Sequence, residues 1–261
     1  MQEVKLDWIK IDFNDRHIIL YASKLAACAN MHKYCDADEL KEELYFKLGL
    51  NKNFKSKRDK AFDGMRQMPW KDRCAVNDMM KATYSNVQQI QDQIEKAKTL
   101  TGNADVLDFV RMAMYTKIGS KSEAGIRQNV AKEYAKKINQ NAKIKISTNP
   151  WFSITVSDAE GTFHTFDVYL GGKHDGMMED NTLVEIKTRQ RGFLGVPLYE
   201  NIQIHCYMTI FETHKAMLIE SYMGEEKSHE IYFDDVMWTQ VKRNSQLLLE
   251  ECLQTYFEKQ T

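Results

Sequence analysis

The chain has 261 residues, is 43% apolar and 28% charged, and has a formal net charge of −1. That apolar content supports one large globular domain, or a core with an extension, and the balanced charge excludes a polycation that coats nucleic acid. No apolar run approaches the ~18 residues needed to cross a bilayer, and MQEVKLDWIKID at the N-terminus has no signal-peptide stretch, so a cytoplasmic, non-secreted protein without a membrane partner is expected. The five cysteines are scattered and form no C-x-x-C pair, which fits free thiols in a reducing compartment and excludes a zinc ribbon.

Residues 4–13 alternate, with Ile9, Ile11 and Phe13 on one side, as an extended arm. Asp15 to Leu48 reads as mostly helical, with Ile18, Leu25 and Cys28 at helical spacing, Asp36 or Asp38 capping a second helix, and Gly49 closing it. Lys52 to Arg73 mixes Lys and Arg with Phe54, Phe62 and Trp70. An amphipathic helix with inward aromatics is expected there, its lysines and arginines, Lys57 and Arg58 among them, left for phosphates. Asn86 to Leu100 is a polar helix with Val87, Ile90 and Ile94 on one stripe, and Thr101-Gly102-Asn103 marks a boundary. The expected division is therefore a mostly helical part over 1–103 and a core over 104–261, packed as one unit. Basic residues outnumber acids in 51–73 and 105–145, and acids outnumber bases in 224–261, a separation that suits phosphate binding on one face.

A helix is expected from Ser122 to Asn139, opened by Ser120 or Ser122, with Ile126, Val130, Tyr134 and Ile138 as its apolar stripe. Glu123 lies on that stripe and needs an Arg, a hydrogen-bond donor or a metal as partner, unless it only caps the helix start. Trp151–Val156 and Phe163–Leu170 form a hairpin around Asp158-Ala-Glu-Gly161. Leu198 to Glu212 is helical, with Gln203 and Tyr207 one turn apart on one face and His205 expected at the surface. Lys215–Tyr222 and His229–Phe233 are strands, and Asp234 caps a final helix carrying Val241, Leu248, Cys252 and Tyr256.

The chemistry concentrates in Gly171–Arg189, GGKHDGMMEDNTLVEIKTR, a strand, a turn and a strand. In the second strand Glu185 and Lys187 share one face while Val184 and Ile186 take the other. A paired neighbour brings Asp175 beside Glu185, with Gly172 and Gly176 leaving room for a ligand. Two carboxylates and an ammonium at a sheet edge suit a hard divalent cation such as Mg²⁺ or Mn²⁺. The loop RQRGFLGVP that follows either reaches phosphates through Arg189 and Arg191 and wedges Phe193 or Leu194 against a terminal base pair, or packs its own apolar residues.

The stretch resembles the core motif of the PD-(D/E)xK nuclease superfamily, and the Asp175–Glu185–Lys187 spacing is similar to its lambda-exonuclease/YqaJ branch. The Gln203–Tyr207 pair resembles the Q-x-x-x-Y signature of that branch and of RecB-like nucleases. The resemblance covers roughly Ala104 to Tyr222. It implies a restriction-endonuclease-like α/β core, a central mixed sheet flanked by helices, with an α-helical N-terminal extension. It implies a metal held by Asp175, Glu185 and the Ile186 carbonyl, with Glu123 as a further ligand, and a catalytic group made of these carboxylates with Lys187, Gln203 and Tyr207. Lys57, Arg58, Lys117, Ser120, Lys121, Arg127, Lys173, Arg189 and Arg191 are the expected nucleic-acid contacts. The implied activity is Mg²⁺-dependent hydrolysis of DNA, most simply as a 5′→3′ exonuclease on duplex ends in viral or phage recombination. An endonuclease, an RNA-degrading enzyme or a non-catalytic binding module of the same fold are the alternatives. An annealing protein and further copies of the chain are the implied partners, and a viral origin would place the protein in the host cytoplasm or nucleus.

Overall fold

The computed structural model describes residues 3–259 apart from 134–137 and 140–142; at 87, 117–124, 127, 130, 131, 133 and 139 it describes the backbone alone. The chain opens with three strands, β1 (Glu3–Lys5), β2 (Ile9–Asp12) and β3 (His17–Tyr21), followed by α1 (Ala22–Cys28) and α2 (Ala37–Lys47). Four more helices follow: α3 (Lys57–Gln67), α4 (Trp70–Lys81), α5 (Val87–Leu100) and α6 (Ala104–Glu133). Then come β4 (Ile138–Asn139), β5 (Lys145–Ile146), β6 (Phe152–Ser157), β7 (Phe163–Gly172), β8 (Gly176–Met178) and β9 (Leu183–Thr188). The end of the chain is α7 (Leu198–Phe211), β10 (Lys215–Tyr222), β11 (Glu225–Tyr232) and α8 (Asp235–Glu258).

The strands fall into two mixed sheets flanked by helices. The first runs β1-β2-β3-β7-β5, with β6 also paired to β7, and β3 and β7 are parallel. The second runs β11-β10-β9-β8-β4, and β9 and β10 are parallel, joined through α7. The chain leaves the first sheet at Gly172 and enters the second at Gly176, so Lys173, His174 and Asp175 form the crossing between them. Gly172 is needed there for another reason than ligand access. A Cβ on it would lie 2.6 Å from Cε1 of Tyr207, so the glycine makes room for that ring.

Three apolar clusters hold the layers. The largest joins the first sheet to α1, α2, α7 and α8 and takes in Leu183, Ala216 and Leu218 from one face of the second sheet. The opposite face, Val184, Ile186, Met217 and Ile219, packs with Met178 and with Ile126 of α6. The third lies among α3–α6. Each fully buried Leu or Ile contributes about 1.5–3 kcal/mol, so Leu183 and Leu218 alone account for a sizeable part of the net stability.

Several expectations are corrected. His17–Tyr21 is a strand, not helix: its alternating burial fits between β2 and β7, and the parallel register with Asp167–Gly171 fixes it. Residues 3–21 therefore share a sheet with the hairpin strand β7. No helix starts at Ser120 or Ser122, because α6 runs unbroken for 30 residues from Ala104, and Ile138 belongs to β4. Val130 and Tyr134 of the expected stripe lie outside the described side chains. Lys52 to Arg73 gives two helices, and their aromatics do not turn inward as expected: Trp70 is 72% exposed with the Arg73 guanidinium 4.8 Å from its ring centre. Phe62 is also exposed, against Phe109 and under Arg58. Caps appear where the side chains predict them. Asp36 accepts from the Asp38 N–H at 3.0 Å, Asp234 accepts from the Val236 and Met237 N–H groups at 3.0 Å, and Gly49 takes φ +79°. Among the described residues no helix is long and apolar enough to cross a membrane.

Candidate active site

The pleat of β9 aims Leu183, Glu185, Lys187 and then Arg189 at the face covered by α7. Only the middle pair forms the site, because Leu183 is sealed in the core below and Arg189 is consumed by carboxylates above. Glu185 is 3% exposed. Its Oε1 accepts from Lys187 Nζ at 2.6 Å, while its Oε2 is buried and accepts no hydrogen bond from any described residue. Burial drives the Glu185 pKa up to about 7; Asp175 adds to the rise, and Lys187 opposes it. Burial alone would lower the pKa of Lys187, but the Glu185 carboxylate outweighs it and leaves the pKa raised, so the amine is held as an ammonium.

Asp175 reaches the same place from the crossing segment. Gly176 pairs with Val184, and Asp175 Oδ2 accepts from the Ile186 N–H at 2.8 Å, which clips the aspartate to the middle of β9. From α7, Gln203 Oε1 accepts from Lys187 at 3.3 Å and Gln203 Nε2 donates to Tyr207 Oη at 2.7 Å. Tyr207 is buried, and desolvation first, then the charges of Glu185 and Asp175, push its pKa upward, so its hydroxyl stays protonated. The result is a continuous polar chain, Glu185–Lys187–Gln203–Tyr207, beside Asp175.

The residues fit a hard cation. Glu185 supplies a buried carboxylate oxygen that accepts no hydrogen bond from a described residue, and Asp175 and the Ile186 main chain lie next to it. No cluster of three His, Cys, Asp or Glu ligands occurs among the described residues, but Mg²⁺ needs only one or two carboxylates and keeps waters for the rest. Lys117, Ser120, Lys121, Glu123 and Arg127 lie on the α6 backbone, and their side chains fall outside the described ones. Ile126 of that helix packs on the Val184–Ile186 side of the sheet.

Of the expected nucleic-acid contacts, Lys173 and Arg191 are exposed. Lys57 pairs with Glu39 at 2.7 Å, and Arg58 lies 5.4 Å from the Phe62 ring centre, both on α3 in the helical part. Arg189 is a correction: it is 6% exposed and turned inward. It donates to both oxygens of Glu200, at 2.6 and 2.7 Å, and through Nε to Glu220 at 2.5 Å. Glu220 also accepts from the Leu194 and Gly195 N–H groups, at 2.8 and 3.0 Å, and pairs with His229 at 2.8 Å. This cluster ties the loop after β9 to β10. The sequence held a signal for it, since Glu220 follows Leu218 on an inward-facing stripe and must find a donor. His205 is also corrected. It is fully buried: its Nε2 accepts the Asp234 N–H at 2.9 Å, and its Nδ1 therefore donates to the Asn201 carbonyl at 2.9 Å.

No family model matches the chain, and no curated protein matches it. Among solved structures it is similar to an alkaline exonuclease from Laribacter hongkongensis, at 12% identity and TM-score 0.48, over 94% of this chain and 92% of that one. It is also similar to a phage-related exonuclease from Haemophilus somnus 129PT, at 10% identity and TM-score 0.41, over 93% of this chain and 98% of that one. At these values the likeness adds nothing to what the geometry of the site itself supports.

Proposed function

We propose that the chain is a metal-dependent nuclease that hydrolyses DNA phosphodiester bonds. One observation carries this: a buried glutamate with an oxygen that no described donor meets, beside an aspartate and an ammonium at the crossing of two sheets. Asp175, Glu185 and the Ile186 carbonyl would hold Mg²⁺ or Mn²⁺, with Glu123 as the further ligand implied by the resemblance. When bound, such an ion lowers the pKa of a water and takes up charge on a phosphoryl oxygen.

The chain's own groups do the rest. Lys187, kept as an ammonium by Glu185, orients the attacking water and offsets negative charge on the oxygens of the pentacoordinate transition state. Gln203 is held at both ends by Lys187 and Tyr207, and its amide steadies the phosphate in line with the water. The water oxygen forms the new bond to phosphorus and gives its proton to solvent. The P–O bond to the leaving sugar breaks, and that oxygen is protonated. The finer reading, a 5′→3′ exonuclease on linear duplex DNA in viral or phage recombination, working as an oligomer with an annealing protein, rests on the sequence resemblance.

The test uses end-labelled linear duplex, circular duplex, single-stranded DNA and RNA, each with Mg²⁺ or EDTA. Degradation of linear but not circular duplex, abolished by EDTA and by Glu185→Gln, is expected. Metal-independent binding with no degradation of any substrate refutes the reading and leaves a binding module.

A further inference from the structure

The loop between α1 and α2 and the first turn of α7 border an open cleft of ≈ 430 Å³ lined by Met31, His32, Lys33, Pro197, Leu198 and Tyr199. This volume lies within the ~300–1,000 Å³ range of small-ligand sites. Two rings, His32 and Tyr199, line it, and the ring of Tyr34 stands beside both. His32 and Tyr199 are 4.6 Å apart between centres, His32 and Tyr34 6.3 Å, and Tyr34 and Tyr199 6.1 Å. Packing on the core accounts for Tyr199 but not for Tyr34, which is left 68% exposed. The group is also set in advance. The Tyr34 N–H donates to His32 Nδ1 at 3.1 Å, which fixes the imidazole ring within its own loop. Lys33 supplies charge at the rim, its Nζ 5.4 Å from the Tyr34 ring centre.

The position of the cleft gives it meaning. Tyr199, Gln203 and Tyr207 follow at one-turn spacing on α7, so neighbours in this series are separated by about 5–6 Å between Cβ atoms. Gln203 touches Lys187. The aromatic cleft therefore begins one helical turn from the glutamine that touches Lys187, on the same face of α7.

We propose that the His32–Tyr34–Tyr199 cleft is a stacking subsite for the base of an unpaired nucleotide next to the scissile phosphate, with Lys33 facing its backbone. The position next to the scissile bond rests on the nuclease reading of the Asp175 site. Stacking takes any base, since every base has a π-face, so the subsite binds strand ends without reading sequence. It holds the frayed terminal nucleotide so that the phosphate beside it stays over Lys187.

The experiment uses the full chain, in EDTA, with single-stranded oligodeoxynucleotides carrying 2-aminopurine at the first, second or third terminal position. Wild type is expected to quench the probe at one position above the others. Tyr34→Ala removes that difference and weakens binding at least about fivefold, the low end for losing one stacking ring, while Tyr34→Trp keeps both. An abasic site at the quenched position abolishes the difference between wild type and Tyr34→Ala. Unchanged quenching and affinity in both Tyr34→Ala and Lys33→Ala overturn the subsite. Hydrolysis of linear duplex with Mg²⁺ is read separately. Position-specific quenching without hydrolysis supports the cleft and refutes the Asp175 reading, and hydrolysis without Tyr34-dependent quenching does the reverse.

Discussion

Replacing Arg189 by methionine separates its two possible roles, a phosphate contact or a buried tie. The substitution takes both donors from Glu200, at 2.6 and 2.7 Å, and one of four from Glu220. Glu220 keeps the Leu194 and Gly195 N–H groups and His229, so the orphaned charge is that of Glu200, which is 5% exposed. Removing one partner of a buried ion pair costs about 3–5 kcal/mol, a large share of a net stability of about 5–15 kcal/mol. Adding Glu200→Leu removes the orphan, and the double variant is expected to recover more than half of the loss. Urea unfolding at constant m measures both steps. A phosphate contact predicts the opposite pattern: unchanged unfolding, weaker DNA binding, and a salt dependence of affinity shallower by about one phosphate. A drop below about 1 kcal/mol in Arg189→Met, or a double variant no more stable than the single, refutes the buried-tie assignment.

Metal ions are expected to raise the melting temperature of wild type but not of Glu185→Gln; a site filled to 100 times its Kd contributes about 2.7 kcal/mol, and an equal Mn²⁺ shift in both proteins would sink the ligand assignment. Gly172→Ala sets a methyl 2.6 Å from the Tyr207 ring and 3.3 Å from the Ala22 Cβ, so overpacking should cost about 1–3 kcal/mol and reduce hydrolysis by displacing Gln203; unfolding curves and initial rates check the two effects. The pKa of His205 is lowered from 6.5 by burial, so below that pH the unfolded chain takes a proton that the folded chain refuses. Stability should accordingly fall as pH drops below 6.5, and the slope should flatten in His205→Gln, as thermal melts across pH will show. Trp70→Ala should leave stability within about 0.5 kcal/mol, because the ring is exposed; a larger loss in unfolding would show that its contact with Arg73 is structural.

The parts of the site legible in the sequence are those governed by local geometry. A period of two places Glu185 and Lys187 on one face of β9, and a period of 3.6 places Gln203 and Tyr207 on one face of α7; neither needs a tertiary contact to be read. The hairpin and the caps at Asp36 and Asp234 are local in the same sense. What failed depends on partners far along the chain. His17–Tyr21 carries apolar residues that also fit a helix; β2 pairs with one edge of it locally, but β7, which makes it an interior strand, is some 150 positions away. Arg189 sits in a loop beside a second arginine, the pattern of a phosphate contact, yet its partners are 11 and 31 residues distant. A guanidinium turns inward when two carboxylates are already buried there, since the cost of leaving them unpaired exceeds the cost of desolvating the arginine. The same logic explains why Glu185 behaves differently on the same face of the same strand. Lys187 satisfies one of its oxygens, and no donor among the described residues meets the other, which is the oxygen that the proposed cation would take.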